Sequence, residues 1–184
     1  MTDNTKEKII EAAMRVFSKY GFFRASLRLI AKEAGVSKSL IFWYFRSKDE
    51  LIFEVALRSL PLDIINECLK EGNKGIDALR CVGVRYVKKY EKPLYRNLLL
   101  HVFSAEAVYP QIKENIEKMC HEQLDRVAEA VYGEISEKSR IAIMTFLGSL
   151  LCFTLRKPIN ITSEKYVEVL IDIIFDSSKS VAIH

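Results

Sequence analysis

The sequence is poor in the residues that build turns. Its 184 residues include only 7 glycines and 4 prolines. A sandwich or barrel of many short strands needs frequent turn residues between its strands. The scarcity of glycine and proline therefore argues against such a fold and favours long helices.

Long apolar runs are also absent. The longest uncharged run covers residues 141–155, between Arg140 and Arg156, and is too short to cross a bilayer core of about 30 Å. The first residues contain no apolar segment of the kind found in secretory leaders. We therefore expect a cytoplasmic protein that has no membrane partner.

The four cysteines, at positions 68, 81, 120 and 152, form no C-x-x-C pair. Their spacing matches neither a zinc site nor a redox motif. Scattered single thiols in a helical chain are typical of small buried side chains in a reducing compartment. We expect four unpaired, buried cysteines and no metal site.

Motifs of the common enzyme classes are missing. The sequence contains no G-x-S-x-G, no Walker loop and no H-E-x-x-H. Cys120 and His121 are adjacent, so on a helix they diverge by about 100° and form no catalytic pair. We predict that the chain is not an enzyme and has no catalytic residue and no cofactor.

Positive charge is concentrated at one end of the chain. The formal net charge is +4, but residues 1–48 hold ten basic and four acidic residues, a balance of +6. The remaining residues carry a balance of −2. Such asymmetry suggests a polyanion-binding head on a nearly neutral body. Charge alone leaves this interpretation about as probable as an ordinary soluble surface.

Apolar residues recur with helical periodicity throughout, and no segment is a convincing strand. We predict an all-α fold of about nine helices. Thr5, Ser26, Ser37 and Ser47 are the candidate N-caps of the first four. The fourth is predicted to run from 48 to about 70 with a possible break at Pro61. The predicted domains are a head at residues 1–50 and a helical body at residues 51–184.

Residues 26–51 contain two short helices that meet at a turn with Gly35, which is the helix-turn-helix pattern. A projection of the second of these helices at 100° per residue gives two arcs. One arc is mainly apolar and is predicted to face the first two helices; it holds Leu40, Tyr44, Ser37, Ile41 and Phe45. The other arc holds Lys38, Phe42, Arg46, Ser39 and Trp43. Large aromatics beside cations suit a DNA major groove, where apolar groups meet thymine methyls. The alternative is that Phe42 or Trp43 belongs to the core of an ordinary bundle.

The first fifty residues resemble the DNA-binding head of the TetR family of transcriptional regulators. The matching segments are VFSKYGF at 16–22, Ile-Ala at 30–31, AGVS at 34–37 and YFRSKDEL at 44–51. The resemblance implies a helix-turn-helix head, a helical ligand-binding body and a dimer. It also implies a set of DNA contacts: Ser26, Arg28, Ser37, Lys38, Ser39, Phe42, Trp43, Tyr44 and Lys48. Phe42 stands where the family usually has tyrosine, and Ser39 where it often has glycine.

Two apolar helices of the body are candidates for a dimer interface. The segment at 141–155 is apolar nearly all round, so it must be buried on two sides. The last predicted helix also carries a broad apolar stripe. Two such helices from each chain would form a four-helix interface, as the family resemblance also implies. The predicted interface residues are Phe146, Leu150, Phe153, Tyr166, Leu170 and Ile174. The alternative is a wholly internal core.

Aromatic and polar residues of the predicted body, most of them within 86–121, suggest an effector pocket. Ligand cavities combine apolar walls with a few polar groups. The candidates are Tyr86, Tyr90, His101, Phe103, Tyr109, Cys120 and Phe146. Each of them is at least as easily explained as an ordinary core residue.

The function predicted from the sequence is a ligand-responsive, sequence-specific DNA-binding regulator, most simply a repressor. It would bind palindromic double-stranded operator DNA as a homodimer. A small apolar or amphipathic effector, such as one with an acyl chain, would release it. The alternative is a helical ligand carrier or interaction protein of the same fold that does not bind an operator.

Overall fold

The computed structural model describes the backbone of residues 2–106, 109–157 and 159–180, and the side chains within these ranges except those of 2, 3, 106 and 176–180. The predicted all-α fold is confirmed: ten helices and no strand are found in the described residues. The helices are α1 (Thr2–Arg24), α2 (Leu27–Ala34), α3 (Lys38–Tyr44), α4 (Lys48–Ser59), α5 (Leu62–Lys70), α6 (Gly75–Glu91), α7 (Pro93–Glu106), α8 (Pro110–Tyr132), α9 (Glu137–Arg156) and α10 (Ser163–Ser180).

The chain packs into two compact units. Unit 1 consists of Met1–Leu60 and Lys92–Ile116, and unit 2 of Pro61–Glu91 and Glu117–His184. Unit 1 thus contains α1 to α4, α7 and the start of α8. The functional boundary near residue 50 is a separate matter and stays a prediction.

Helix α1 is the central element of unit 1, where α2, α4 and α7 pack against it. The periodicity at Ile9, Ala13, Val16, Phe17 and Tyr20 predicts one face of a helix; the first four side chains are buried, whereas Tyr20 is 43% exposed. The predicted cap at Thr5 is wrong, because α1 begins at Thr2. At Gly21 the backbone of α1 leaves helical geometry, with φ 75° and ψ 165°.

Serine hydroxyls cap the next three helices, as predicted. The hydroxyls of Ser26, Ser37 and Ser47 each accept a hydrogen bond from the amide three residues ahead, at 3.2, 3.1 and 3.1 Å. Each bond satisfies one of the amides that the first helical turn leaves unpaired. Between α2 and α3, Gly35 has a left-handed φ of 64°, which a Cβ would oppose.

The predicted break at Pro61 is real and accounts for the tenth helix. Helix α4 ends at Ser59 and α5 begins at Leu62, where the predicted helix would have continued. Proline has no amide hydrogen and its ring crowds the preceding turn, so it ends or kinks a helix. The same point separates unit 1 from unit 2.

In unit 2, α6 packs against α5, α9 and α10. Gly83 of α6 is buried at the closest of these approaches. A Cβ at this position would lie 2.8 Å from Val167 Cγ1 and 2.9 Å from Phe146 Cζ. At Gly148 of α9, by contrast, a Cβ would meet open space within the chain.

The prediction of four buried, unpaired cysteines is wrong. Cys68 and Cys81 form a disulfide between α5 and α6, with their Cα atoms 5.9 Å apart. Cys120 and Cys152 take part in no disulfide, and both are exposed rather than buried. The pairing follows from the antiparallel packing of α5 on α6, which the spacing in the sequence does not reveal.

Ion pairs join the same two helices. Arg85 contacts Glu67 at 3.4 Å and Glu71 at 2.7 Å, and Lys89 contacts Asp63 at 2.7 Å. The Lys89 side chain is nearly buried, and this burial lowers the pKa of its ammonium although Asp63 acts in the opposite direction. Helices α5 and α6 therefore form a cross-linked, charge-paired hairpin.

Helix α9 is the one described helix that is long and apolar enough to cross a membrane by length and composition. The uncharged run at 141–155 is too short to cross a bilayer by itself. The whole 20-residue helix, with the charged residues near its ends, is long enough. Core helices of globular proteins pass the same test, and Ile143, Phe146, Leu150 and Phe153 of α9 are buried in unit 2.

Candidate nucleic-acid interface

Helix α3 has one buried and one exposed arc, as its projection predicted. Ile41 and Phe45 are each 1% exposed, and Leu40 and Tyr44 are half-buried. On the other side, Phe42 is 46% and Trp43 is 68% exposed. The remaining members of the outward arc, Lys38, Ser39 and Arg46, are also exposed. The alternative that Phe42 or Trp43 belongs to the core is wrong.

Neighbouring side chains hold the two exposed rings. The ammonium of Lys38 lies 5.5 Å from the centroid of the Phe42 ring, within range of a cation–π contact. The Trp43 and Tyr44 rings meet edge to face, with centroids 4.6 Å apart. These contacts limit the number of orientations that the rings sample and leave their outer surfaces open.

The predicted serine contacts have structural roles in the free chain. The Ser26 and Ser37 hydroxyls are N-caps, and Ser37 also shares a hydrogen bond with Ser39 (Oγ to Oγ 2.9 Å). Arg28 is exposed on α2. The structure thus places Ser26 and Arg28 at the start of α2, and Ser37 and Ser39 at the start of α3.

Three acidic residues of the head, Glu7, Glu11 and Glu33, pair with other arginines. Arg15 lies 2.8 Å from Glu33 and 4.0 Å from Glu11, and Arg58 pairs with Glu7. Within the described chain, no carboxylate pairs with the side chain of Arg28, Lys38 or Arg46. The outward surface of α2 and α3 therefore keeps an uncompensated positive charge.

Arg46 was left out of the predicted DNA contacts although it lies on the same arc as Lys38. It is exposed, and its backbone amide donates to Glu50 Oε2 at 2.7 Å. Its position in the projection was the signal that placed it on this surface. We add it to the candidate set.

Lys48 differs from the other predicted contacts. It is half-buried, and its ammonium donates to the carbonyl oxygen of Phe23 at 3.4 Å. Burial lowers the pKa of this ammonium, while Asp49 acts in the opposite direction. A phosphate contact would require the Lys48 side chain to give up this carbonyl.

The predicted effector residues are divided between the two units. In unit 2, Tyr86 and Tyr90 of α6 are buried with ring centroids 4.5 Å apart, and burial raises the pKa of both hydroxyls above the ordinary value. Phe146 is buried against the Gly83 position, whereas Cys120 is exposed.

The other three effector candidates belong to unit 1. The His101 ring lies 3.4 Å from where a Cβ on Gly21 would be and 6.2 Å from the Phe22 ring. Tyr109 stacks on Phe23 with centroids 5.7 Å apart, and Phe103 is 48% exposed. His101 of α7 and Tyr109, the residue before α8, thus lie against the end of α1, the first helix of the head. A surface cleft of about 260 Å³ in unit 2 is lined by none of the candidates; its residues are Val84, Lys88, Glu91, Ser163 and Glu164.

Five of the six predicted interface residues are buried in their own chain, and Tyr166 is half-buried. They are Phe146, Leu150, Phe153, Leu170 and Ile174. The Phe153 and Tyr166 rings stack with centroids 4.0 Å apart. A neighbouring stripe of α9, with Ile141, Met144, Gly148 and Cys152, is exposed instead. Val169 and Ile173 of α10 are exposed as well.

No group of three or more His, Cys, Asp or Glu residues that would suit a metal ion is found in the part of the chain that the structure describes. The exposed arc of α3 with its uncompensated cations is the candidate functional surface. Its arrangement is that of a polyanion-binding surface with an apolar centre.

Comparison with known proteins relates the chain to one protein family. The profile described as "Bacterial regulatory proteins, tetR family" matches residues 9–55. The HTH-type transcriptional regulator AcrR of Shigella flexneri is 41% identical over 144 residues, which are 73% of this chain and 66% of the relative. The HTH-type transcriptional regulator TtgR of Pseudomonas putida is 32% identical over 127 residues, 66% of this chain and 51% of the relative.

The chain therefore spans just under two thirds of the first of these relatives and about half of the second. The fold is also similar to that of a solved structure. The crystal structure of a TetR family transcription regulator from Marinobacter aquaeolei VT8 superposes with a TM-score of 0.73 at 17% identity, covering 95% of each chain.

Proposed function

Because this chain belongs to the TetR family of transcriptional regulators, whose members are not enzymes, we propose that it is a sequence-specific DNA-binding repressor that responds to a small molecule. A cytoplasmic location follows from that role. A relative in Escherichia coli, 32% identical over 91 residues, is named as a probable operon repressor, which favours repression over activation.

One observation carries the proposal: α3 exposes aromatic rings among cations that have no carboxylate partner in the described chain. A helix of this size fits the major groove of B-DNA, which is about 12 Å wide. Arg28, Lys38 and Arg46 supply the positive charge for phosphates, and Phe42 and Trp43 supply the surface that faces base edges.

A homodimer is the second part of the proposal. A single short helix buries too little surface for operator affinity, and two-fold dimers place two heads about 34 Å apart on DNA. Five of the six predicted interface residues are already buried by contacts within their own chain. We therefore transfer the proposed contact to the exposed stripe beside them, Ile141, Met144, Gly148 and Cys152, with Val169 and Ile173 of α10.

The effector is the third part of the proposal. Buried Tyr86, Tyr90 and Phe146 would provide the apolar wall for an apolar or amphipathic molecule such as one with an acyl chain. His101 and Tyr109 lie against the end of α1. A shift of α7 would therefore be transmitted directly to the first helix of the head. Coupling of effector and DNA affinities through such a shift is reciprocal.

The test begins with selection of duplexes from a randomised double-stranded pool by the full chain. The selected duplex is then titrated against the fluorescence of Trp43, the single tryptophan, at several salt concentrations. With about eight phosphate contacts per dimer, the log–log salt slope of the association constant should be roughly −7.

A palindromic motif in the selected duplexes and a saturable change in Trp43 fluorescence would support the operator-binding dimer. Absence of any enriched sequence at low salt would contradict it. That result would favour the alternative, a ligand carrier or interaction protein of the same fold.

A further inference from the structure

The centre of the exposed α3 arc is apolar, whereas base recognition in a groove commonly uses hydrogen bonds. Phe42 and Trp43 present their rings outward, 46% and 68% exposed. Exposure of large apolar side chains to water is energetically unfavourable unless a partner covers them. A partner for this arc must therefore offer apolar groups as well as negative charge.

Helix α3 offers few groups for hydrogen-bonded base recognition. Bidentate recognition of guanine and adenine uses mainly Arg, Lys, Asn and Gln, and α3 contains only Lys38 from this set. The Ser39 hydroxyl is already bonded to Ser37 at 2.9 Å. Lys38 lies along the Phe42 ring, beside the apolar centre rather than in it.

Thymine is the base that presents an apolar group, its C5-methyl, in the major groove. We infer that Phe42 and Trp43 select the operator by contacting thymine methyl groups, so that the half-site centre is specified by methyl positions. The inference rests on the proposed function and adds what the DNA-binding surface recognises.

The charges around the rings favour duplex DNA as the occupant of this arc. Arg28 of α2, Lys38 of α3 and Arg46 of the turn after α3 are exposed, and their side chains have no carboxylate partner in the described chain. A duplex supplies phosphates for these cations and methyl groups for the rings at once. Neither half of this chemistry alone explains the arrangement.

The inference is tested by removing the methyl groups from the DNA and leaving the protein unchanged. The duplex selected from the randomised pool is synthesised in two forms, one with thymine and one with uracil at every thymine position. Uracil keeps the same hydrogen-bonding edges and lacks only the C5-methyl. Binding of both forms is measured by the fluorescence anisotropy of a labelled duplex at several salt concentrations, a signal that does not depend on Trp43.

The expected loss of affinity is about fourfold for each contacted methyl group, the value of one buried CH₂ or CH₃ group. A dimer presents four rings, so a loss of about 10²-fold is expected if each ring contacts one methyl. Replacing uracil by thymine at single positions should restore affinity at the ring-contacting positions alone.

Two protein variants separate methyl recognition from general binding. Phe42→Ala should reduce the ratio of thymine to uracil affinity about 16-fold, since it removes two methyl contacts from each dimer. Lys38→Ala should weaken binding to both duplexes equally and make the salt slope shallower. Both positions are exposed, and circular dichroism confirms that each variant is folded.

The outcomes distinguish this inference from the proposed function. A uracil duplex that binds within about twofold of the thymine duplex overturns the methyl inference and leaves operator binding intact. A selection that enriches no sequence overturns both. A methyl-dependent affinity that Phe42→Ala and Trp43→Ala leave unchanged also contradicts the inference, because the methyl contacts then lie elsewhere.

Discussion

Helices α3 and α9 both expose apolar side chains, and the residues around those side chains differ between the two helices. The exposed rings of α3 lie among Lys38, Ser39 and Arg46, and the helix is short. The exposed stripe of α9 contains Ile141, Met144 and no charge between its ends. The first surface is aromatic and cationic, and the second is aliphatic and uncharged.

This difference indicates two kinds of partner. Cations around a polarisable ring suit a polyanion whose interior offers a few apolar groups. An uncharged aliphatic stripe suits an equally apolar surface, and a second copy of the same helix provides one by symmetry. The exposed fraction of the side chains alone would not distinguish the two surfaces.

The largest expected effect is on the α9 stripe. Met144→Asp should raise the dissociation constant of the proposed dimer by about 10³-fold, since burial of each methionine contributes roughly 1.5–3 kcal/mol and the two-fold axis counts it twice. Sedimentation velocity measures the change. DNA affinity should fall with it, whereas the helical content stays constant.

The control for this variant is Lys70→Asp, an exposed position at the end of α5, outside the two helices of the proposed contact. It should leave the dissociation constant within a few-fold of the original. If Met144→Asp remains dimeric at the same concentration as the unchanged protein, the α9 stripe is not the interface.

The next effect concerns the α3 arc. Lys38→Glu should reduce operator affinity by about 10²-fold and make the salt slope shallower by about 2, because each dimer loses two phosphate contacts and gains two repulsive charges. Fluorescence anisotropy of a labelled duplex measures both quantities, and sedimentation should show an unchanged dimer.

Lys74→Glu makes the same charge change in the turn before α6, at an exposed position in unit 2. Long-range charge alone should cost less than tenfold there. Equal losses in the two variants would mean that net charge and not the α3 surface governs binding.

The smallest effect compares two glycines in the helices of unit 2. In the monomeric Met144→Asp background, Gly148→Ala should raise the free energy of unfolding by up to about 1 kcal/mol, since alanine favours helix and the Cβ meets open space. Gly83→Ala should lower it by about 1–3 kcal/mol, because its Cβ would overlap Val167 and Phe146.

Urea unfolding followed by circular dichroism measures both changes. In the dimeric protein, Gly148→Ala should also weaken association, because the partner helix approaches there. Stabilisation of the dimer by Gly148→Ala would place the interface away from this residue.

Much of the head could be predicted from sequence because its determinants are local. Serine caps, Gly35 and a 100° projection concern residues within one or two turns of each other. They located α2 and α3 and separated Phe42 and Trp43 from Ile41 and Phe45. The start of α1 was missed because Thr5 is a plausible cap that lies within a longer helix.

The body was harder because its determinants join distant residues. The apolar stripes of α9 and α10 were predicted to meet a partner, but α6 also packs on both helices and buries Phe146 and Leu170. No pattern along one helix shows which of two apolar sides a third helix will cover. The pairing of Cys68 with Cys81 depends on the packing of α5 and α6 in the same way.

The cross-link between α5 and α6 has a consequence for chain entropy. It closes a loop of 13 residues around the turn that joins these helices. A loop of about this length removes roughly 3 kcal/mol of conformational freedom from the denatured ensemble. A reductant can therefore lower the melting temperature of this protein while its native contacts stay the same, since the change lies in the number of conformations open to the melted chain.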